Sequence, residues 1–289
     1  MFKKLLKYDM RAIAKFWWIG AVISGAGTII AALLIRFLSF VASIENPNIL
    51  ILLTGILGFL LAICCIMAVV LSFEFTLILI LVRFYKHFFT DEGYLTFTLP
   101  VKRSSLLLSK VVSAFIWIWA HLAIIGTSIL LFCMLAIPPK EGGSFLNFFL
   151  LREISRVLAS AWSSIGPWVI VYALEALLLS VVYSLFSVLL IYFCITFGSM
   201  IVKRAKLILS IGLYYAFSSI LAVSGQFGII LFGSFVSDGM HTLMKDASQN
   251  RVCAAYTFLI LSVISALGVI SAVLYSLTQT ILHRRLNLA

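Results

Sequence analysis

Residues 52–71 read LLTGILGFLLAICCIMAVVL, a run of twenty residues without a charged side chain. The hydrocarbon core of a bilayer is about 30 Å thick, and an α-helix needs roughly 20 apolar residues to cross it. Apolar and polar residues do not alternate along this run, as they do in the segments of about 10 residues that form a transmembrane β-barrel. The run therefore predicts a transmembrane helix.

The rest of the chain is similarly apolar. Hydrophobic residues make up 63% of the 289 residues and charged residues only 11%, a composition typical of integral membrane proteins. Six runs are long enough to span a bilayer, at residues 16–41, 49–82, 111–137, 167–202, 207–236 and 252–282. We therefore predict an all-α polytopic membrane protein with a single transmembrane domain over residues 1–289. Because the six runs fill most of the chain, we expect no soluble catalytic domain and no enzymatic activity in this polypeptide.

Lysine and arginine residues accumulate in alternate loops. If both termini lie inside, fifteen of the 21 basic residues fall in inner segments, five fall in outer loops, and Arg36 falls in the first helix. Basic residues are enriched on the cytoplasmic side of membrane proteins, so the bias predicts cytoplasmic termini. The net charge of +11 is then explained by topology and by attraction to anionic lipid, rather than by binding to nucleic acid.

Cysteine and histidine form no recognisable metal or redox motif. The five cysteines lie in or beside apolar runs without C-x-x-C spacing, and the four histidines show no H-x-x-x-H spacing. Buried structural thiols are the expectation for such cysteines. The sequence therefore predicts no catalytic residue, no metal site and no cofactor bound by this chain.

Residues 1–15 separate into two faces when they are wound as a helix. The basic face holds Lys3, Lys4, Lys7, Arg11 and Lys15. Asp9 is the one charged residue on the apolar side. This pattern predicts an amphipathic helix in the inner interface, with its basic face toward anionic headgroups, and Trp17 and Trp18 mark the turn into the bilayer. The alternative is that these basic residues only set the topology of the first span.

A second amphipathic stretch lies within residues 140–166, on the predicted outer side. As a helix it places Arg152, Glu153, Arg156 and Ser160 on one arc and Phe148, Leu151, Ile154, Leu158 and Trp162 on the other. The pattern predicts an extracellular interfacial helix. A lid over the exit path of an amphiphilic substrate is the alternative.

Three ionisable residues fall inside the apolar runs, namely Arg36, Glu74 and Glu175. Such groups are costly in lipid and are candidates for function. Arg36 lies near the outer end of its run, where its side chain can extend to the headgroups. Glu74 lies in the inner part of the second run, and Glu175 lies about two turns into the fourth run from the outside.

Residues 84–110, FYKHFFTDEGYLTFTLPVKRSSLLLSK, form a polar segment on the predicted cytoplasmic side. Thr90 can cap a short helix whose first turn holds Asp91 and Glu92, where acidic groups suit the helix dipole. Gly93 permits a sharp change of direction. The run before this segment is longer than a bilayer needs, so we expect it to extend into the cytoplasm and to carry the segment toward a soluble partner.

The motif TDEGYLTFTLPV, followed by KRSSLLLSK, resembles the loop after the second helix in permease subunits of bacterial ABC transporters of the ABC-2 (exporter) type. The amphipathic N-terminus, the six spans and the cytoplasmic termini extend this resemblance over nearly the whole chain. The resemblance implies that the loop contains a coupling helix, which docks on a separate ATP-binding subunit. The residues that it assigns to this docking element are Asp91, Glu92, Gly93, Tyr94 and Leu95, with Pro100 at the return to the third helix.

The chain contains no G-x-x-x-x-G-K-[ST] phosphate loop, although a transporter driven by ATP needs one. The resemblance therefore implies that ATP and Mg²⁺ bind to separate ATPase subunits. It also implies a second permease chain, identical or homologous, and a location in the bacterial cytoplasmic membrane. The expected function is export of an amphiphilic substrate, such as a peptide, a lipid-like molecule or a drug.

Three other functions remain open at this point. A proton-coupled secondary transporter would use Glu74 or Glu175, but it predicts an internal repeat with interrupted helices, and no convincing repeat is visible. A membrane-embedded enzyme would need a cluster of His, Asp or Cys at one depth, which the sequence lacks. A membrane sensor subunit without transport activity is compatible with every feature above.

Overall fold

The structure, a computed structural model, describes residues 2–44, 48–90, 93, 103–136, 149–201, 206–243 and 249–284. Seven helices account for nearly all of these residues: α1 (Phe2–Ala42), α2 (Ile49–Phe89), α3 (Arg103–Ala136), α4 (Phe149–Ile165), α5 (Trp168–Ile201), α6 (Lys206–Leu243) and α7 (Gln249–Arg284). No strand occurs in the described part of the chain. The predicted all-α fold is confirmed.

Six of these helices are long and apolar enough to cross a membrane, namely α1, α2, α3, α5, α6 and α7. The prediction of a multi-pass membrane protein with six spans is thus supported by helix length and composition. α2 is 41 residues long, which corresponds to about 60 Å at 1.5 Å per residue. This length is about twice the thickness of a hydrocarbon core, so part of α2 must tilt or extend beyond it.

α1 differs from the prediction of an interfacial helix over residues 1–15 and a separate span over residues 16–41. A single helix covers Phe2–Ala42, and the expected turn at Trp17 and Trp18 is absent. The reason is local, because the residues around this point include no proline and therefore keep every backbone donor of the helix.

The packed side of α1 is also continuous. Its buried residues are Asp9, Ile13, Trp17, Gly20, Ser24, Gly27, Thr28, Ala31 and Ala32. The five basic residues of the predicted polar face are all exposed. The predicted separation of faces in residues 1–15 is therefore found, but Asp9 begins a packed stripe that continues through the membrane span.

Small residues in this stripe bring α1 close to α2. A Cβ atom at Gly27 would lie 3.2 Å from the Cys65 carbonyl oxygen, and one at Gly20 would lie 3.4 Å from Cδ1 of Phe75. Lipid tails are as apolar as leucine, so association of helices in a membrane depends on such close packing rather than on the hydrophobic effect. The stripe therefore holds α1 against α2.

The chain folds into two compact units. One unit consists of Met1–Phe2, Leu81–Val111 and Ser160–Ala289, and it contains α5, α6, α7 and the ends of α2 and α3 that flank the predicted docking loop. The other consists of Lys3–Ile80 and Val112–Ala159, and it contains most of α1, α2 and α3. Below they are called the C-terminal unit and the N-terminal unit.

α4 ends at a sharp corner. Gly166 has a φ of 58°, its N–H donates to the Trp162 carbonyl at 2.9 Å, and Pro167 follows. A left-handed glycine with a proline after it is a common end of a helix. The helix predicted within residues 140–166 is thus found at Phe149–Ile165, and Ile154, Leu158 and Trp162 of its predicted apolar arc are exposed.

We expect Gly27→Ala to lower the free energy of unfolding by about 1 kcal/mol, because the added methyl group meets a backbone oxygen that cannot rotate away. Gly25→Ala is the matched control on the same helix, since no described atom outside its own stretch of helix lies within 4 Å of its Cβ position and alanine favours a helix over glycine. Thermal unfolding in detergent micelles measures both variants. Equal stability of the two variants would contradict the close packing of α1 on α2.

Candidate functional site

The helices on both sides of the predicted docking loop extend further than the sequence indicated. α2 continues to Phe89 and α3 begins at Arg103, so helices cover both ends of residues 84–110. Of the predicted docking residues, Gly93 alone lies in the described part of the chain. Asp91, Glu92, Tyr94, Leu95 and Pro100 lie outside it, and their docking role stays a prediction.

Gly93 is buried against the end of α2. Its N–H donates to the Thr90 carbonyl at 2.7 Å, and a Cβ atom on Gly93 would lie 2.8 Å from the Phe88 carbonyl oxygen. A residue with a side chain does not fit at this distance from the backbone. Glycine is therefore required here for close approach of the chain to α2.

The side chain of Thr90 bonds to the end of α2. Its hydroxyl donates to the Lys86 carbonyl at 2.5 Å, so it satisfies one of the last carbonyls of α2, which have no partner inside the helix. The Gly93 N–H bonds the Thr90 backbone oxygen, and the predicted cap on Asp91 and Glu92 stays a prediction because these two residues lie outside the described part of the chain. The hydroxyl of Thr90 thus caps the C-terminal end of α2.

Both helices beside the loop are fixed to α5 by buried contacts. The Phe84 ring stacks on the Tyr192 ring with centroids 3.9 Å apart and an interplanar angle of 11°. The Tyr192 hydroxyl donates to the Lys110 carbonyl at 3.1 Å. Phe84, Phe88 and Tyr192 are at most 2% exposed, and Lys110 is 4% exposed. We call Phe84, Phe88, Lys110 and Tyr192 the loop anchor.

The last turns of α2 concentrate basic groups next to the loop anchor. Lys86 and His87 lie in the last turn, and Nη2 of Arg83 lies 2.9 Å from Nε2 of His87. Since an arginine nitrogen can only donate, Nε2 of His87 is the acceptor and its ring is neutral in this arrangement. Cationic groups at a helix C-terminus are stabilised by the helix dipole.

A polar cluster in the N-terminal unit was not anticipated from the sequence. Oγ of Ser24 lies 2.5 Å from Oγ of Ser72, which lies 3.1 Å from Nε2 of His121. Nδ1 of His121 lies 3.0 Å from Oγ1 of Thr76. All four side chains are at most 2% exposed. The cluster links α1, α2 and α3, and we call it the His121 cluster.

The number of available protons fixes the hydrogen bonds in the His121 cluster. The Ser72 hydroxyl donates to the Val69 carbonyl at 2.6 Å, so Ser24 and Nε2 of His121 donate to Ser72, and Thr76 donates to Nδ1. A cationic His121 is accommodated by one change: Nδ1 donates to Thr76, whose hydroxyl turns to the Ser72 carbonyl, 3.3 Å away. Both protonation states therefore leave every hydroxyl satisfied.

Aromatic rings surround His121. The Trp17 ring meets it edge to face at a centroid distance of 6.2 Å, the Phe73 ring lies 5.8 Å away, and the Trp17 and Trp117 rings are 4.8 Å apart. Both indole Nε1 groups are buried without a hydrogen-bond partner in the described structure. The imidazole is thus isolated from solvent by apolar surfaces.

The three predicted intramembrane ionisable residues have different surroundings. Arg36 and Glu74 belong to the N-terminal unit and are partly buried. Glu175 belongs to the C-terminal unit, is 6% exposed, and has no hydrogen-bond partner on either carboxylate oxygen in the part that the structure describes. Of the three residues, Glu175 is therefore the one that combines burial with unpaired carboxylate oxygens among the described residues.

The prediction for the cysteines is partly wrong. Cys194 and Cys253 are buried, Cys65 and Cys133 are partly buried, and Cys64 is exposed, because it lies on a face of α2 that no other described helix covers. All five are free thiols. Within the described ranges, no group of three or more His, Cys, Asp and Glu residues is placed to hold a metal ion.

A cavity of about 220 Å³ lies among α5, α6 and α7. Its walls are mainly apolar and include Phe186, Leu190 and Leu221. The hydroxyl of its lining residue Ser187 donates to the Tyr183 carbonyl at 2.9 Å, so this polar group is satisfied by its own helix. The cavity is smaller than the 300 to 1,000 Å³ of typical small-molecule sites, and it suits part of an apolar molecule.

No protein-family model, no curated protein and no solved structure matches this chain.

We expect a double-mutant cycle between His121→Ala and Thr76→Val to give a coupling energy of about 0.5 to 2 kcal/mol, because each change removes the same hydrogen bond between α2 and α3. Thr127→Val is the control partner for His121→Ala, since the Thr127 hydroxyl donates to the Ile124 carbonyl of its own helix. Unfolding of the four variants of each cycle in mixed micelles measures the coupling. The control pair should give additive changes in stability. Additive changes for His121→Ala and Thr76→Val as well would refute an energetic role for the His121 cluster.

Proposed function

We propose that this chain is the permease subunit of an ATP-driven exporter of the ABC-2 type, with residues 84–110 as the element that docks on a separate ATPase. The observation that supports the proposal best is the loop anchor. A loop that merely connects two helices needs no fixed link to a third helix. Here the flanking helices are joined to α5 through a stacked ring pair and a buried hydrogen bond.

Such an anchor suits the transmission of force. Coupling between two sites requires an element whose position differs between two states and which both sites influence. Closely packed side chains have low compressibility and transmit displacement. A movement imposed on the loop by an ATPase would therefore pass through Phe84 and Tyr192 into α5, which packs on α6 and α7.

The partners and location follow from the same proposal. The chain contains no phosphate loop, so ATP and Mg²⁺ would bind to the ATPase subunits. A second permease chain, identical or homologous, would complete the transport path. Both termini and the docking loop would lie on the cytoplasmic side of a bacterial cytoplasmic membrane, with the exposed basic residues of α1 toward anionic lipid headgroups.

The cargo that we propose is amphiphilic. Apolar walls in the cavity among α5, α6 and α7 would accept the apolar part of a peptide, a lipid-like molecule or a drug. The cargo's polar part would remain outside this cavity, because its walls are mainly apolar.

A proton-coupled secondary transporter is the second candidate, and it is favoured by the Glu175 carboxylate, which has no hydrogen-bond partner in the described ranges. Reconstitution of the chain in liposomes with its candidate ATPase subunit separates the two functions. We expect uptake of a fluorescent amphiphile into inside-out vesicles on addition of ATP and Mg²⁺, and no uptake when a pH gradient is imposed without ATP. Uptake driven by the pH gradient alone would favour the proton-coupled transporter over the ATP-driven exporter.

We expect Glu92→Ala or Tyr94→Ala to reduce co-purification of the ATPase by about tenfold, since each removes a side chain from the proposed docking element. Tyr8→Ala is the matched control, because Tyr8 is an exposed tyrosine outside the loop, 69% accessible on α1. Pull-down of the ATPase with each variant, together with the melting temperature of the variant, measures docking and folding separately. Wild-type association of both loop variants would argue against the docking role.

A further inference from the structure

Glu175 is a buried acid without a hydrogen-bonded partner among the described residues. Its side chain is 6% exposed, and neither carboxylate oxygen has a hydrogen-bond partner among the described residues. An ionised carboxylate in an apolar interior is strongly unfavourable unless it is paired, hydrogen-bonded or bound to a cation. The groups that surround Glu175 therefore indicate what kind of ligand could compensate its charge.

α5 and α7 lie side by side and start at the same end. The Trp168 indole N–H donates to Oδ1 of Asn250 at 3.2 Å, and the Tyr172 hydroxyl donates to the Cys253 carbonyl at 3.2 Å. Each pair joins the first or second turn of α5 to the corresponding turn of α7. The two helices therefore run in the same direction with matched levels.

The next level of this helix pair contains Glu175 and Thr257. Glu175 follows Tyr172 by three residues and Thr257 follows Cys253 by four, and both spacings keep a residue on the same face of a helix. Oγ1 of Thr257 is also buried without a hydrogen-bond partner in the described part of the chain. The register of the two helices thus places three oxygen atoms that have no hydrogen-bond partner among the described residues at about the same level.

The free hydroxyl of Thr257 has a specific cause. Threonine in a membrane helix usually donates to the carbonyl four residues earlier, as Thr28 does to Ser24 and Thr278 does to Leu274. For Thr257 that carbonyl belongs to Cys253, and it already accepts the Tyr172 hydroxyl. Tyr172 thereby leaves the Thr257 oxygen available to a ligand beside Glu175.

We propose that Glu175 and Thr257 bind a small monovalent cation, either an alkali-metal ion or an ammonium group, between α5 and α7. The available ligands are carboxylate and hydroxyl oxygens, which suit hard cations. A single carboxylate balances one positive charge. A bound cation would satisfy all three oxygen atoms and neutralise the buried acid.

The purified full chain in lipid nanodiscs tests this proposal without an ATPase or a cargo. Its melting temperature is measured at fixed pH while NaCl, KCl or methylammonium chloride replaces N-methylglucamine chloride at constant ionic strength. A ligand that binds only the folded state raises the melting temperature with its concentration. We expect a saturable rise with at least one of the three cations, and comparison of the three identifies a metal ion or an ammonium group as the ligand.

Variants link the response to the two residues. We expect Glu175→Gln to lose the cation-dependent rise and to melt at or above the wild-type temperature without cations, because it removes an uncompensated buried charge. Thr257→Ala should weaken the apparent affinity by roughly tenfold. Ser184→Ala is the control on the same helix, since the buried Ser184 hydroxyl donates to the Val181 carbonyl at 2.8 Å, and it should respond like the wild type.

The proposal is overturned if none of the three cations stabilises the wild type more than N-methylglucamine does, or if Glu175→Gln responds as the wild type does. It is also overturned if acid stabilises the wild type while no cation does at any pH, because a proton then occupies Glu175. Each result concerns the isolated chain. The docking of an ATPase on residues 84–110 therefore stands or fails independently of it.

Discussion

Lipid tails offer no hydrogen bond to a polar group, so a hydroxyl, amide or charge left unpaired inside a membrane helix is unfavourable. Most serines and threonines here meet this constraint on their own helix, as Ser180 and Thr278 do by donating to backbone carbonyls three or four residues earlier. The exceptions are informative. In these places a side chain forms a hydrogen bond with another helix, or it has no hydrogen-bond partner among the described residues.

The two compact units differ in how their polar side chains are hydrogen-bonded between helices. In the N-terminal unit, His121 joins hydroxyl groups of α2, and small residues let α1 approach closely enough for Ser24 to take part. In the C-terminal unit, Tyr172 and Tyr192 each donate to a carbonyl of another helix. These tyrosines combine ring packing with one directed bond, which fixes both the level and the rotation of the helices that they join.

The helices could be predicted from the sequence and most interhelical contacts could not. Runs of apolar residues determine where a helix crosses a bilayer, so the six spans were evident, and the face that contains Asp9 was evident from helical spacing. Helix ends were less predictable, because α1 passes Trp17 without a break and α3 already begins at Arg103. The His121 cluster and the pairing of α5 with α7 depend on tertiary register, which spacing along one helix does not encode. The proposed docking element depends on its resemblance to a family, since Gly93 is the one assigned residue with described surroundings.

The unbroken course of α1 has a mechanical consequence. Its exposed lysines and its packed stripe belong to the same 41-residue helix, so a tilt of its basic end is transmitted along the helix. The residues that would shift with such a tilt include Ser24 and Thr28, about two to three turns further along the axis from Trp17. If the proposed contact with anionic headgroups exists, a change in their surface charge would therefore shift the hydrogen-bonded residues of α1 as well as its basic end.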